Sequence, residues 1–295
     1  MADESSKKEG LFLTGMILSM FCWGLSWAAG KVLTNYGDSL SISFYRFAVT
    51  FISLLVILFF TKEKLTIARK GLLTLLAAAL LIGTYTYFFF QGLSVGKAGA
   101  GGVLVTTLNP IISYAIMLVF TRRKPTRNET IGLLTGIIAG AILLKVWDNW
   151  QNITSAGNIY FLLASFSWAI LSLFTAKSSR YGSSMSFSLW MYGVCSVLIF
   201  LITGWDNNVA VLQKADTYFW GNLIFSATIT TSLATTFYFM ATAKLGASKA
   251  SSFIFLVPFS AALGSWVFLG EVPQLHTIAG GLLGIAAVYV LNKKN

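Results

Sequence analysis

The chain has 295 residues, of which 56% are hydrophobic, 15% aromatic and 11% charged, and it carries a formal net charge of +11. A water-soluble fold of this composition would expose more apolar surface than water tolerates, so the chain reads as a membrane protein. The positive excess invites a nucleic-acid reading, but it alternates between loops instead of forming one basic face, which argues against that partner.

In chain order, ten apolar stretches reach the roughly 20 residues needed to cross hydrocarbon. After a polar tail at 1–10, spans are expected at 11–33, 41–61, 71–93, 98–120 and 130–147. A second set follows at 157–177, 184–203, 218–241, 246–269 and 274–292. They are too long and too uniformly apolar for barrel strands, so helices are expected. The first span has no cleavage pattern after it and reads as a retained helix rather than a signal peptide. Trp147, Trp150, Trp205 and Trp220 fall at span ends, where an interfacial belt is expected.

Lys62, Lys64, Arg69 and Lys70 fill one connection, and Arg122, Arg123, Lys124 and Arg127 fill another on the same side. Lys7, Lys8, Lys177, Arg180, Lys244, Lys249, Lys293 and Lys294 join them. The opposite loops hold Lys97 and Lys214, with Lys145 at a helix edge. The positive-inside rule then places both termini in the cytoplasm, and the expected location is the cell membrane.

The chain is duplicated. All four prolines pair at one separation of 148 residues, Pro110 with Pro258 and Pro125 with Pro273. Gly132 and Gly136 match Gly280 and Gly284 at the same offset, while Trp23, Gly37 and Ser41 match Trp168, Gly182 and Ser186 at 145. The difference is an insertion expected between Gly204 and Asp216. The repeats are assigned to 11–150 and 151–295. Five spans is an odd number, so the second repeat enters the membrane from the other side. The change from Arg123 to Glu271 at corresponding positions agrees with opposite topology. The expected fold is an all-α membrane protein of ten transmembrane helices arranged as two inverted five-helix repeats, an architecture of secondary transporters.

Trp23-Gly24 followed by Lys31, Phe44-Tyr45-Arg46-Phe47, Asn109-Pro110 and Leu269-Gly270-Glu271-Val272-Pro273, then Gly280, Gly281 and Gly284, occur in one order along the chain. In this order the chain resembles the EamA-type branch of the drug/metabolite transporter superfamily over essentially its whole length. The resemblance implies a ten-helix carrier, and it favours export of amino acids or other metabolites. One departure, Arg122-Arg123 where the second repeat has Gly270-Glu271, reads as a consequence of topology.

Gly132, Gly136 and Gly140 form a flat helical stripe, matched by Gly280 and Gly284, and are expected to pack spans five and ten together. Pro110 and Pro258 each free a carbonyl and are expected hinges or gating points of spans four and nine. Trp23 and Trp27 share a face four residues apart, and Trp168 is the repeat partner of Trp23. With Tyr85, Phe88, Asn109, Tyr238 and Ser252 they are the expected substrate contacts, lining a mixed apolar and polar chamber. Arg46 and Lys31 lie within spans. Snorkelling to the interface explains both; alternatively Arg46 meets an anionic group, since its repeat counterpart Met191 is uncharged.

All ten acidic residues fall in the tail, in loops or at helix edges. Without a central carboxylate relay, uniport, exchange or facilitation is expected over proton-coupled antiport. Cys22 and Cys195 stand in no metal spacing, and the lone His276 is expected to be structural. An intramembrane enzyme would need converging catalytic groups; none is apparent, and no cofactor or metal is expected. The expected partners are a small-molecule substrate and membrane lipid, with the chain a monomer or homodimer. The expected function is secondary transport of a small neutral or zwitterionic metabolite, an amino acid by class, through a central cavity by alternating access. The alternative is uptake of a choline-like quaternary amine by an aromatic cage.

Overall fold

The computed structural model describes residues 2–122, 124–154, 157–175, 178–235, 237–238, 254 and 256–293. Its first half comprises α1 (Ala2–Leu33), α2 (Ser39–Thr61), α3 (Leu72–Val95), α4 (Ala98–Thr121) and α5 (Arg127–Leu144). The second half comprises α6 (Asn158–Thr175), α7 (Ser184–Lys214), α8 (Thr217–Ile224, running on as a π-helical segment, Phe225–Ala234), α9 (Leu256–Leu269) and α10 (Leu275–Asn292). Among the described residues, seven helices are long and apolar enough to cross a membrane, and Leu256–Leu269 and Leu275–Leu291 are shorter apolar helices.

Short polar side chains set the helix starts. Asp38 accepts the Leu40 and Ser41 amides at 2.9 and 3.1 Å and so opens α2. Its repeat counterpart Ser183 accepts the Ser186 amide at 3.1 Å and opens α7. A capping box opens α5, with Thr126 Oγ1 receiving the Glu129 amide at 3.4 Å and Glu129 Oε2 receiving the Thr126 amide at 2.7 Å.

The first helix begins at Ala2, within the expected tail, and two further elements depart from the expected spans. Span seven does not stop at 203; the chain turns at Gly204, with φ 73° and ψ −179°, and continues helically to Lys214. Only glycine takes that backbone freely. The inserted segment thus becomes a short helix, held by Asn208 Nδ2 donating to Thr203 Oγ1 at 2.7 Å and to the Gly204 carbonyl at 2.6 Å. Span eight changes pitch at Phe225 within a Ser/Thr-rich run. There the hydroxyls of Thr230, Thr231 and Ser232 donate to carbonyls five residues back at 2.7 to 3.0 Å, which supports the wider turn. The stretch joining α8 to α9 falls largely outside the described residues.

The principal helix pairings are α5 with α10, α2 with α7, α4 with α9, α1 with α9, α4 with α6, α3 with α6, α1 with α8, α2 with α8 and α3 with α7. Exchanging each helix for the one five places along returns the same set. This is the signature of two five-helix repeats related by a pseudo-two-fold axis, with an odd helix number inverting the second.

The glycine stripe serves two neighbours. A Cβ on Gly132 would lie 2.6 Å from Leu291 and one on Gly280 would lie 2.7 Å from Leu143, so these two glycines close α5 onto α10. Gly136 and Gly140 instead admit Ile111 and Leu108 of α4, and Gly284 admits Thr107 of the same helix. The paired outer helices therefore grip α4 as well as each other.

Candidate functional site

Loop contacts sort the connections into two ends. At one end Tyr36 donates to Asp216 at 2.6 Å, and Glu271 accepts the Ala98 and Gly99 amides at 3.1 and 2.9 Å. At the other, Ser186 donates to the Lys64 carbonyl, the Ala68 amide to the Tyr181 carbonyl at 2.8 Å, and Asn128 to the Lys293 carbonyl at 3.3 Å. The helix α4 has no side-chain cap from its own N-cap residue Lys97. Gly270, at φ 69°, ends α9 and turns the chain so that Glu271 supplies that cap. The Gly-Glu pair noticed in sequence therefore has a structural task at a helix N-terminus, where the dipole favours a carboxylate.

Lys31 reaches the end of the neighbouring helix, where its Nζ donates to the carbonyls of Leu93, Ser94 and Gly96 at the C-terminus of α3. Between Lys31 and Glu271, the tight α3–α4 turn is held on both flanks by the charge that each helix end prefers.

Midway along the bundle, the first helix of each repeat presents a tryptophan to a tyrosine of the other repeat. Trp23 lies 5.5 Å from Tyr238 between ring centroids, tilted at 42°, and Trp168 lies 4.7 Å from Tyr85 at 61°. Trp23, Tyr85, Trp168 and Tyr238 are all half-buried. The indole Nε1 of Trp23 donates to the Thr230 carbonyl at 3.1 Å, in the π-helical segment. Four of the expected substrate contacts are thus brought together as two pairs, each joining one repeat to the other.

The others are placed differently. Trp27, 3% exposed, packs against Phe89 at 4.7 Å and Phe161 at 5.8 Å, over the space left by Gly102. It belongs to the packed core, because its helix turns it away from Trp23's neighbours. Phe88 stacks on Tyr160 at 6.5 Å. Asn109 is half-buried with Oδ1 lacking a hydrogen-bond partner, next to Pro110 inside α4. Pro258 is buried in α9. Ser252 lies outside the described residues.

Arg46 turns onto two aromatic rings of α3. Its guanidinium sits over the rings of Phe89 at 5.3 Å and Phe90 at 5.9 Å, and Nη2 donates to Thr231 Oγ1 at 3.4 Å. Its Nε is buried without a hydrogen-bond partner. Phe89 also lies 6.1 Å from Tyr85, so this ring stands between Arg46 and the Trp168–Tyr85 pair. Sequence reasoning missed Phe89, Thr230 and Thr231; the clustering of hydroxyl residues between Ser226 and Thr235 was the available signal.

A cavity of about 240 Å³ lies at the Glu271 end, lined by Lys97, Leu143, Asn152, Glu271, His276 and Thr277 among others. None of the expected substrate contacts lines it. Its carboxylate is already engaged by α4, so the two aromatic pairs are the stronger candidate for recognition. At the same end, the Tyr36 hydroxyl and the Phe219 amide hold the Asp216 carboxyl below the usual carboxylate range. Among the described residues, no group of three or more His, Cys, Asp or Glu side chains converges as a metal site would require.

The model of the EamA-like transporter family matches residues 10–145 and again 155–293. The chain is 25% identical over 280 residues to the "Uncharacterized transporter YoaV" of Bacillus subtilis (strain 168), covering 94% of this chain and 95% of that one. It is 24% identical to a "Probable amino-acid metabolite efflux pump" of Salmonella typhimurium, covering 97% and 95% of the two chains. It is 23% identical to a "Probable terminal-alkyne amino-acid exporter" of Streptantibioticus cattleyicolor, covering 95% and 92%. A solved structure described only as a crystal structure of a protein shares the fold at a TM-score of 0.59 and 13% identity, over 96% of this chain and 97% of that one. With the family model matched twice across a duplicated bundle of apolar helices, this chain belongs to the EamA-like transporter family and is a multi-pass membrane protein.

Proposed function

We propose that the protein is a cell-membrane carrier that exports a small neutral or zwitterionic metabolite, an amino acid by class, by alternating access at the junction of α1, α3, α6 and α8. The observation that carries this reading is the pairing of Trp23 with Tyr238 and of Trp168 with Tyr85 across the two repeats. Each pair joins one repeat to the other, so rocking the repeats would open the pairs alternately toward the two sides. Rings with polar tips suit a substrate that has an apolar body and polar ends. The printed names of the Salmonella and Streptantibioticus relatives point to the same substrate class. Basic residues such as Lys62, Arg69 and Arg127 gather at one end of the bundle, which supports cytoplasmic termini. A carrier of this kind needs no catalytic group, and without a carboxylate at the junction it would work as a uniporter or exchanger.

Uptake of a quaternary amine would use the same rings through cation-π attraction. The guanidinium of Arg46, over Phe89 beside Tyr85, opposes a second cation there. Purified protein in liposomes loaded with unlabelled amino acids should accumulate labelled amino acid by counterflow. Counterflow of choline alone would replace this reading with the amine one. Movement of no solute would sink the carrier reading.

A further inference from the structure

Arg46 carries its charge inside the bundle, and among the described residues no carboxylate pairs with it. The stretch from 236 to 255, most of which is outside the described residues, contains no Asp or Glu, so it supplies none either. The neighbours that Arg46 does have offset only part of the charge. Two phenyl faces attract the cation weakly, Thr231 gives one long hydrogen bond, and Nε is buried with nothing to donate to. A charge within a membrane bundle is expensive and is normally paired. An unpaired donor adds to that cost. Packing cannot account for the residue, since its repeat counterpart is Met191, which is 4% exposed and carries no charge.

We infer that Arg46 is the anchor for a carboxylate on the transported molecule, so that the carrier selects substrates bringing a negative charge to the junction. This rests on the carrier reading and names the chemistry that the carrier recognises. The planar fork of a guanidinium meets a carboxylate at two points, and Nε is the donor left open for one of them. The apolar body of the substrate then falls against Phe89, which touches Arg46, and the run of rings that continues from it through Tyr85 to Trp168. The matching amide offers neither the charge nor the second acceptor. A simple amine adds a like charge. Zwitterionic amino acids and apolar monocarboxylates share the required group, and an α-amino group is not needed for the anchor.

The test uses full-length protein in liposomes and in detergent, with phenylalanine, leucine, their carboxamides, 3-phenylpropionate and choline as probes. In the wild type the three acids should compete for counterflow at least about tenfold better than the carboxamides, the size expected for one charge-assisted hydrogen-bond pair. Arg46→Gln should weaken the acids by about 10- to 100-fold and leave the carboxamides unchanged, with Arg46→Lys between the two. Carboxamides competing as well as acids in the wild type would overturn the anchor while leaving the carrier reading intact, and so would an Arg46→Gln protein that still prefers acids. That wild-type comparison decides the matter even where Arg46→Gln fails to fold. Movement of no probe would remove the carrier reading, and the anchor with it.

Discussion

The indole of Trp23 is tied to the Thr230 carbonyl at 3.1 Å across 207 residues of chain. That carbonyl also receives the Thr235 hydroxyl at 3.4 Å, so the change of pitch in α8 exposes a backbone acceptor to side chains. Trp23→Phe keeps a ring against Tyr238 and loses the donor; Trp23→Ala loses both. Counterflow should fall in the order wild type, Phe, Ala. The Phe variant should lose about 1 kcal/mol of stability, the usual net worth of a hydrogen bond. Equal activity of all three proteins would remove Trp23 from the transport site.

Gly24 lies where α1 crosses α9, and a Cβ there would strike Ser260 and come within 2.6 Å of the Ala261 amide nitrogen. Backbone cannot give way as a flexible side chain can, so Gly24→Ala should cost about 1 to 3 kcal/mol. Gly221→Ala is the control, because nothing lies within 4 Å of its added methyl. Thermal unfolding in detergent should show a lowered midpoint for the first and none for the second.

Glu271 caps α4 through the amides of Ala98 and Gly99. Loss of a helix cap costs about 1 kcal/mol, so Glu271→Ala should lower the unfolding midpoint, and Glu271→Gln, which keeps one acceptor, should lower it less. Lys31→Met should act at the same turn by releasing the carbonyls of Leu93 and Gly96. Because both side chains hold one turn, the double variant should be less destabilised than the sum of the two.

Asp216 accepts from the Tyr36 hydroxyl and the Phe219 amide, and its carboxyl is held below the usual range. A depressed folded value means that this contribution is present above the ordinary carboxylate range and is lost as pH falls through the lowered value. The Tyr36 hydroxyl is pushed up, chiefly by its bond to Asp216, so its own contribution is lost only as the solution becomes strongly alkaline. Midpoints of the wild type and Asp216→Asn should therefore differ at neutral pH and converge in acid. The difference should be small, because the pair is solvent-exposed and screened. A difference that persists unchanged in acid would show that another group carries it.

How far the chain can be read without its structure differs from one residue to the next. Hydropathy is a local property, so the spans up to Thr121 were legible to within a few residues. The Gly204 insertion was located correctly, but its helical form was not foreseen, since it depends on one glycine dihedral and on Asn208 reaching back to Thr203. Trp23 and Trp27 looked alike on one helix face, and only the rotation of α1 against α3 and α8 separates the half-buried ring from the core one.

The sequence by itself determined the membrane setting, the duplication and the sign alternation of the loops, because apolar length, proline spacing and charge order are written along the chain. Tertiary structure alone decided that Arg46 meets no carboxylate among the described residues, that Glu271 and Lys31 cap other helices, and that Trp23 and Trp168 each meet a tyrosine of the opposite repeat. Those facts depend on the angular orientation of helices and on contacts between residues up to two hundred positions apart. Helical periodicity names the face on which a side chain lies, and packing against the other nine helices decides what that face meets.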